Sequence, residues 1–165
     1  MTPAAPPFDA RALRDAFGCF ATGVTVITTQ DDAGNRLGLT ANSFTSVSLD
    51  PPLLLFCPAN NASILPGIHT SGRFAVNILA NASQAVADRF TRKNIDRFAD
   101  ASWEDWDGVP VLADAKAAFA CTLHADHDGG DHRIIVGRIT RFGLNTTREL
   151  LLYLHGRYRR LDVGS

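Results

Sequence analysis

Gly38-Leu39-Thr40-Ala41-Asn42-Ser43-Phe44-Thr45-Ser46-Val47-Ser48 has the extended, β-branched character of a strand and an unusually polar make-up. Thr40, Ser43, Thr45, Ser46 and Ser48 carry hydroxyls, and Asn42 interrupts the centre. A strand buried in a core avoids such a composition. Two explanations remain open on composition alone. The stretch is an edge strand with a solvated face, or its backbone and hydroxyls face a polar, planar ligand.

Working outward, the neighbours of this stretch are also strands. Residues 24–29 (VTVITT) form a run rich in β-branched side chains. Asp31-Asp32-Ala33-Gly34-Asn35 reads as the turn of a hairpin, with the returning strand over residues 36–49, ending at Pro51-Pro52. Residues 53–57 form a short apolar strand, and residues 60–71 a loop with one helical turn. Residues 74–79 are a further strand, followed by a helix through Phe90 that opens on a capping box, Asn81 to Gln84. Residues 94–110 look irregular, and Trp103 and Trp106 inside them read as packing residues. Two long strands, residues 117–126 and 132–144, flank Asp128-Gly129-Gly130-Asp131, and residues 150–154 form the last strand. Upstream, Leu13, Ala16, Phe17, Phe20 and Ala21 recur at helical spacing between an N-cap at Asp9 and a stop at Gly23. Residues 1–7 are Pro- and Ala-rich and read as a loose tail before a domain spanning residues 8–165. Strands follow strands through tight turns with no βαβ alternation. The expected fold is mostly β, an antiparallel barrel with a few peripheral helices.

Composition narrows the function. The 165 residues fit one domain, and a net charge of -1 leaves no basic excess to follow a nucleic-acid backbone. No apolar run approaches the ~20 residues of a membrane span. The start, MTPAAPPFDA, lacks the basic and apolar regions of a secretory signal, so the expected location is cytoplasmic. Cys19, Cys57 and Cys121 are odd in number and lack CxxC spacing, which indicates neither a disulfide framework nor a zinc site; they read as small buried hydrophobes. No metal site is expected. No GxGxxG follows a strand, so a Rossmann dinucleotide fold is not expected.

Residues 22–29 (TGVTVITT) and then residues 38–57 (GLTANSFTSVSLDPPLLLFC) resemble the flavin reductase-like family, whose fold is the Greek-key FMN-binding split barrel. Gly130-Asp131-His132 resembles that family's GDH motif, and Leu152-Tyr153-Leu154-His155-Gly156-Arg157-Tyr158 its C-terminal strand. The resemblance covers residues 8–160. It implies an NAD(P)H-dependent reductase of FMN or FAD that supplies reduced flavin to a separate monooxygenase, and a homodimer. The alternative it leaves is a split barrel with tightly held flavin that carries electrons or reduces another ligand.

The resemblance also assigns roles. Thr40, Ala41, Asn42 and Ser43 would line the isoalloxazine ring, with backbone N–H groups donating to its N1–C2=O edge. Cys57, Asn60 and Ser63 would follow the flavin tail, with Ser63 on the phosphate. Phe90, with Arg92 or Lys93, would form a second cluster near the phosphate, although cations at a helix C-terminus are also explained by the helix dipole. Asp131 and His132 would sit near the ring, His132 positioning the nicotinamide of NADH or NADPH. Tyr158, with Arg157, would lie near the flavin or the dimer seam. Hydride transfer needs the two rings stacked, so positioning dominates and no acid or base is obligatory.

Overall fold

The structure, a computed structural model, describes residues 8–161. The tail expected at residues 1–7 and the last four residues of the expected domain lie outside the described residues. The chain runs α1 (Ala10–Phe17), β1 (Thr22–Gly23), β2 (Thr25–Gln30), β3 (Arg36–Ala41), β4 (Thr45–Leu49) and β5 (Pro52–Phe56). It continues through α2 (Leu65–Ser71), β6 (Arg73–Ile78), a 3-10 turn (Asn81–Ser83), α3 (Gln84–Thr91), β7 (Trp103–Trp106) and β8 (Val109–Leu112). The last elements are β9 (Ala117–Gly129), β10 (His132–Leu144), β11 (Leu151–Leu154) and β12 (Arg157–Arg160).

Seven strands form one antiparallel sheet in the order β3-β2-β6-β9-β10-β5-β4. Its two edges, β3 and β4, are consecutive in the chain and joined by residues 42–44 alone. A flat seven-stranded sheet would hold its edges about 29 Å apart. Four Cα steps reach at most about 14 Å. The sheet therefore rolls until its edges approach, and the seam between β3 and β4 stays unpaired. This is the split barrel expected from the sequence. The single returning strand expected over residues 36–49 is instead two strands, because the chain crosses the seam there.

Side chains alternate across each strand, and both faces of the central strands are covered. Ile27, Phe56, Phe74, Val76, Cys121 and Ile135 pack inside the barrel with Ile64 and Ile68 of the α2 segment. Val24, Val26, Ala75 and Leu79 pack outside, under Ala87 and Phe90 of α3 and Val109, Val111 and Leu112 of β8. Burial on both faces explains why β2 reads as continuous β-branched residues rather than an alternating strand. Its threonines are satisfied internally: Thr25 Oγ1 donates to the Ala41 carbonyl at 2.7 Å and Thr29 Oγ1 to the Arg73 carbonyl at 2.6 Å. Fully buried Asn77 donates through Nδ2 to the Val26 carbonyl at 3.0 Å, and its Oδ1 accepts from the Leu112 N–H at 2.8 Å. That amide ties the β7–β8 hairpin to the main sheet.

Several sequence expectations are corrected. Residues 103–112, read as irregular, form a hairpin whose turn, Asp107-Gly108, has φ of 56° and 86° at its two central residues. Such turns match the twist of antiparallel strands. His155-Gly156 (φ 52° and 73°) makes the same turn and opens an unanticipated strand, β12. α1 stops at Gly18, whose N–H donates to the Arg14 carbonyl while the Cys19 N–H donates to that of Ala16, and Gly23 instead pairs with Leu152. The capping box does not form. The Asn81 N–H donates to the Glu149 carbonyl at 2.7 Å, so the chain enters α3 through the 3-10 turn with no side-chain cap. Residues 60–71 contain a two-turn helix, α2, where one turn was expected. Of the cysteines, all free, only Cys121 is buried; Cys57 is half-buried and Cys19 exposed.

Burial pushes the Cys121 thiol up from its ordinary value of 9.0 to about 12. The unfolded chain releases this proton near pH 9 and the folded chain keeps it. The contribution is therefore fully present below pH 9 and is lost as pH rises toward 12. Cys57 and Tyr158, also raised, add slope of the same sign. Urea unfolding between pH 8 and pH 10.5 should show stability falling with pH, about tenfold in the unfolding equilibrium per pH unit per group at most. Cys121→Ala should flatten that decline.

Candidate functional site

Where β3 ends at Ala41, the ladder to β2 ends with it; where β4 begins at Thr45, pairing to β5 begins. Among the described residues, the N–H groups of Asn42, Ser43 and Phe44 donate to no main-chain carbonyl. Two of these three residues, Asn42 and Ser43, line a groove of about 610 Å3. Leu39, Thr40, Ala41, Asn42 and Ser43 form one side. Cys57, Pro58, Ala59 and Ala62, after β5, and Gly129, His132 and Ile134, of the β9–β10 hairpin, complete it.

The hydroxyls of the polar stretch brace the groove. Thr40 Oγ1 donates to the Ala87 carbonyl at 2.7 Å and fixes β3 to α3. Ser43 Oγ accepts from the Cys57 N–H at 2.9 Å and donates to the Cys57 carbonyl at 3.2 Å, tying the seam loop to the end of β5. Asn42 is exposed and lines two adjoining hollows as well as the main groove. One, of about 200 Å3, also takes in Thr91, Tyr153 and Tyr158; the other, of about 440 Å3, takes in Arg14, Phe17, Phe20 and His155. The three spaces meet at Asn42.

Opposite the seam, the β9–β10 hairpin is anchored by the loop after β5. Asn60 donates through its N–H to the Asp131 carbonyl at 3.0 Å and through Nδ2 to the Gly130 carbonyl at 2.8 Å. Ala59 bridges His132, and the Arg133 N–H donates to the Pro58 carbonyl at 2.9 Å. His132 Nδ1 lies 2.6 Å from Asp131 Oδ1, and the hydrogen bond and charge of that imidazole hold the Asp131 carboxyl below the usual range. With Nδ1 turned to the carboxylate, Nε2 is the ring nitrogen left for another partner.

Of the residues singled out from the sequence, Thr40, Ala41, Asn42, Ser43, Cys57 and His132 meet on one groove, and Tyr158 lines an adjoining hollow. Burial, with Asp88 nearby, pushes the Tyr158 phenol up, so it stays a donor. The others sit elsewhere. The exposed carboxylate of Asp131 reaches the groove only through His132, and Asn60 holds the hairpin tip. Ser63 is exposed on the segment leading into α2. Phe90 is 2% exposed and packs on Phe98 and Trp103; a Cβ on Gly38 would stand 2.5 Å from its ring. Arg92 and Lys93 are exposed beyond α3 and line none of the three spaces, whereas Thr91 does. Ile134 was not singled out, although alternation along β10 places it on the face of His132. Arg97 was also passed over. It donates through Nη1 to the Gly38 carbonyl and through Nε to the Arg92 carbonyl, both at 2.8 Å.

Among the described residues, no group of three His, Cys, Asp or Glu could hold a metal ion, and no helix is long and apolar enough to cross a membrane. The groove thus lies between Asn42 and Ser43 of the seam and the His132 hairpin.

Comparison with known proteins agrees with this geometry. Residues 17–162 match the model of the flavin reductase like domain. The chain is 51% identical over 142 residues to a probable flavin reductase of Rhizobium meliloti, covering 84% of this chain and 46% of that protein. It is 39% identical over 160 residues to the reductase subunit HsaB of a flavin-dependent monooxygenase of Rhodococcus jostii, covering 96% of this chain and 82% of that one. The chain thus spans about half the length of the first relative and most of the second. The solved NADH:FAD oxidoreductase SgcE6 of Streptomyces globisporus superposes with a TM-score of 0.89 at 36% identity, covering 98% of this chain and 99% of that one. The chain belongs to the flavin reductase-like domain family.

Ser43→Ala removes the acceptor of the Cys57 N–H. It should destabilise the chain by about 1–2 kcal/mol and speed hydrogen exchange at that amide. Asn42→Ala, which breaks no protein hydrogen bond, should leave both unchanged.

Proposed function

We propose that the chain is an NAD(P)H:flavin oxidoreductase that reduces FMN or FAD and hands reduced flavin to a separate monooxygenase. The observation that carries this reading is a single groove bounded by the unpaired main-chain donors of the barrel seam and by His132 on the hairpin opposite. The relatives' names, a flavin reductase, a monooxygenase reductase subunit and an NADH:FAD oxidoreductase, support it. The groove volume of about 610 Å3 suits an organic cofactor. A cytoplasmic setting, where reduced nicotinamide dinucleotide is supplied, goes with this reading.

A bound flavin accepts a hydride from reduced nicotinamide and, with one proton, becomes dihydroflavin while the nicotinamide leaves oxidised. The chain's part is geometric and electrostatic. The unpaired N–H groups of Asn42 and Ser43 would donate to the ring edge where negative charge gathers, and being fixed by the fold they would need no reorganisation. His132, its Nδ1 turned to Asp131, would position the nicotinamide over the groove. Tyr158 and Asn42, which line the adjoining hollow, would take the flavin tail.

The test is oxidation of NADH or NADPH by the purified chain with FMN or FAD. Turnover should require flavin, and His132→Ala should raise KM for NADH about tenfold with the flavin KM within about twofold of its original value. No flavin-dependent oxidation would overturn the reading. Copurifying flavin without such oxidation would favour the electron carrier.

The reading includes a homodimer. α1 has no buried residue, and Phe8, Phe17 and Phe20 are more than two-thirds exposed. An isolated eight-residue helix is not stable in water, so a covering surface is needed. Sedimentation should give twice the chain mass, and Phe17→Asp with Phe20→Asp should shift it to monomer. Wild-type sedimentation as a monomer would reject this part.

A further inference from the structure

On the reverse side of the hairpin lies an ion cluster that the groove does not use. Asp126 Oδ1 accepts from Arg133 Nε at 2.7 Å, and Asp126 Oδ2 lies 2.8 Å from His69 Nε2. Arg133 Nη1 is 3.8 Å from Asp128 Oδ1. The side chains of Asp126 and Arg133 are only 19% and 31% exposed, so water screens this pair less than an ordinary surface one. Partial burial pulls the Asp126 carboxyl up, yet the hydrogen bonds and charges of Arg133 and His69 hold it below the usual carboxylate value. It remains a charged hub. His69 comes from α2, so the cluster fastens three elements: α2, β9 and β10.

Its position in the chain gives it a use. Arg133 directly follows His132, and successive side chains on a strand point to opposite faces. The register agrees, with His132 opposite Gly129 on the groove side and Arg133 opposite Asp128 on the other. Fixing the Arg133 side chain from behind therefore fixes the backbone from which His132 projects forward. The segment after β5 holds the same few residues along the strand edge, through Asn60, Ala59 and Pro58. The hairpin is thus held along its edge and from behind, around a turn whose Gly130 has φ 82°.

We propose that Asp126, with Arg133 and His69, is a positioning device for the nicotinamide subsite, holding the hairpin so that His132 keeps its place on the groove. This rests on the assignment of His132 under the proposed function. The three residues touch no substrate and act through His132.

A double-mutant cycle tests it. Asp126→Asn keeps the shape and removes the charge. It should raise KM for NADH about threefold to tenfold, with kcat and flavin affinity, read by fluorescence quenching, within about twofold. Arg133→Lys should restore part of what Arg133→Met loses. The deciding measurement is Asp126→Asn in the His132→Ala background, where its effect on KM for NADH should vanish. Persistence of the full effect there, or an equal loss of flavin affinity, would make the cluster merely structural and overturn the proposal. If His132→Ala alone leaves KM for NADH unchanged, the underlying assignment fails and the proposal falls with it. If Asp126→Asn lowers Tm too far to assay, His69→Gln, at a 46% exposed side chain, carries the same cycle: loss of its effect in the His132→Ala background supports the proposal, and persistence overturns it.

Discussion

Three residues bridging the two edges of a seven-stranded sheet set the geometry of this molecule. Because residues 42–44 are too short to cross a flat sheet, the sheet must roll, and because they do not pair, the roll cannot close. Barrel and groove are one consequence of one short connection. The rest of the fold completes it: α2 and its flanking residues fill the inside of the barrel, while α3 and the β7–β8 hairpin cover the outer face of β2 and β6. Asn77 fastens that hairpin with hydrogen bonds that a purely apolar contact would not direct.

The polar residues of the seam divide their work. Thr40 and Ser43 commit their hydroxyls to Ala87 and Cys57, which keeps the two lips of the groove at a fixed separation. The main-chain N–H groups of residues 42–44 donate to no main-chain carbonyl, and the Asn42 side chain lines the groove. This division resolves the choice the sequence left open. The stretch belongs to two edge strands, and its polarity serves the gap between them. Donors that are part of a braced backbone hold their direction better than flexible side chains, which is what the proposed stacking of two rings would require.

The barrel was legible because β-branched runs separated by turn residues are a local signal, and most strand positions followed from it. The site was legible where residues share a strand or a turn, as at Thr40 to Ser43 and at His132. It was not legible where folding sets the neighbourhood. Phe90 sits next to a plausible phosphate cluster in sequence, yet its ring fills the space above Gly38 and turns inward. Asn60 has the chemistry of a ligand contact, but the hairpin it meets lies seventy residues away. The β7–β8 hairpin was missed because Trp103-Glu104-Asp105-Trp106, charged and aromatic, lacks the apolar alternation of a strand. Charge partners such as Asp126 and His69, fifty-seven residues apart, leave no trace in a single sequence.

A strand edge with unpaired amides is a template on which another chain can build. The seven-stranded sheet has two such edges, and β4 carries an irregularity between Ser46 and Ser48 that breaks its regular spacing. By rolling the sheet, the molecule turns the end of one edge toward the start of the other, so at the seam the exposed amides look into a narrow slot instead of outward. A small flat molecule can enter that slot, and a neighbouring polypeptide strand meets its walls first. The geometry that leaves the groove open is thus also a guard against edge-to-edge pairing at the seam.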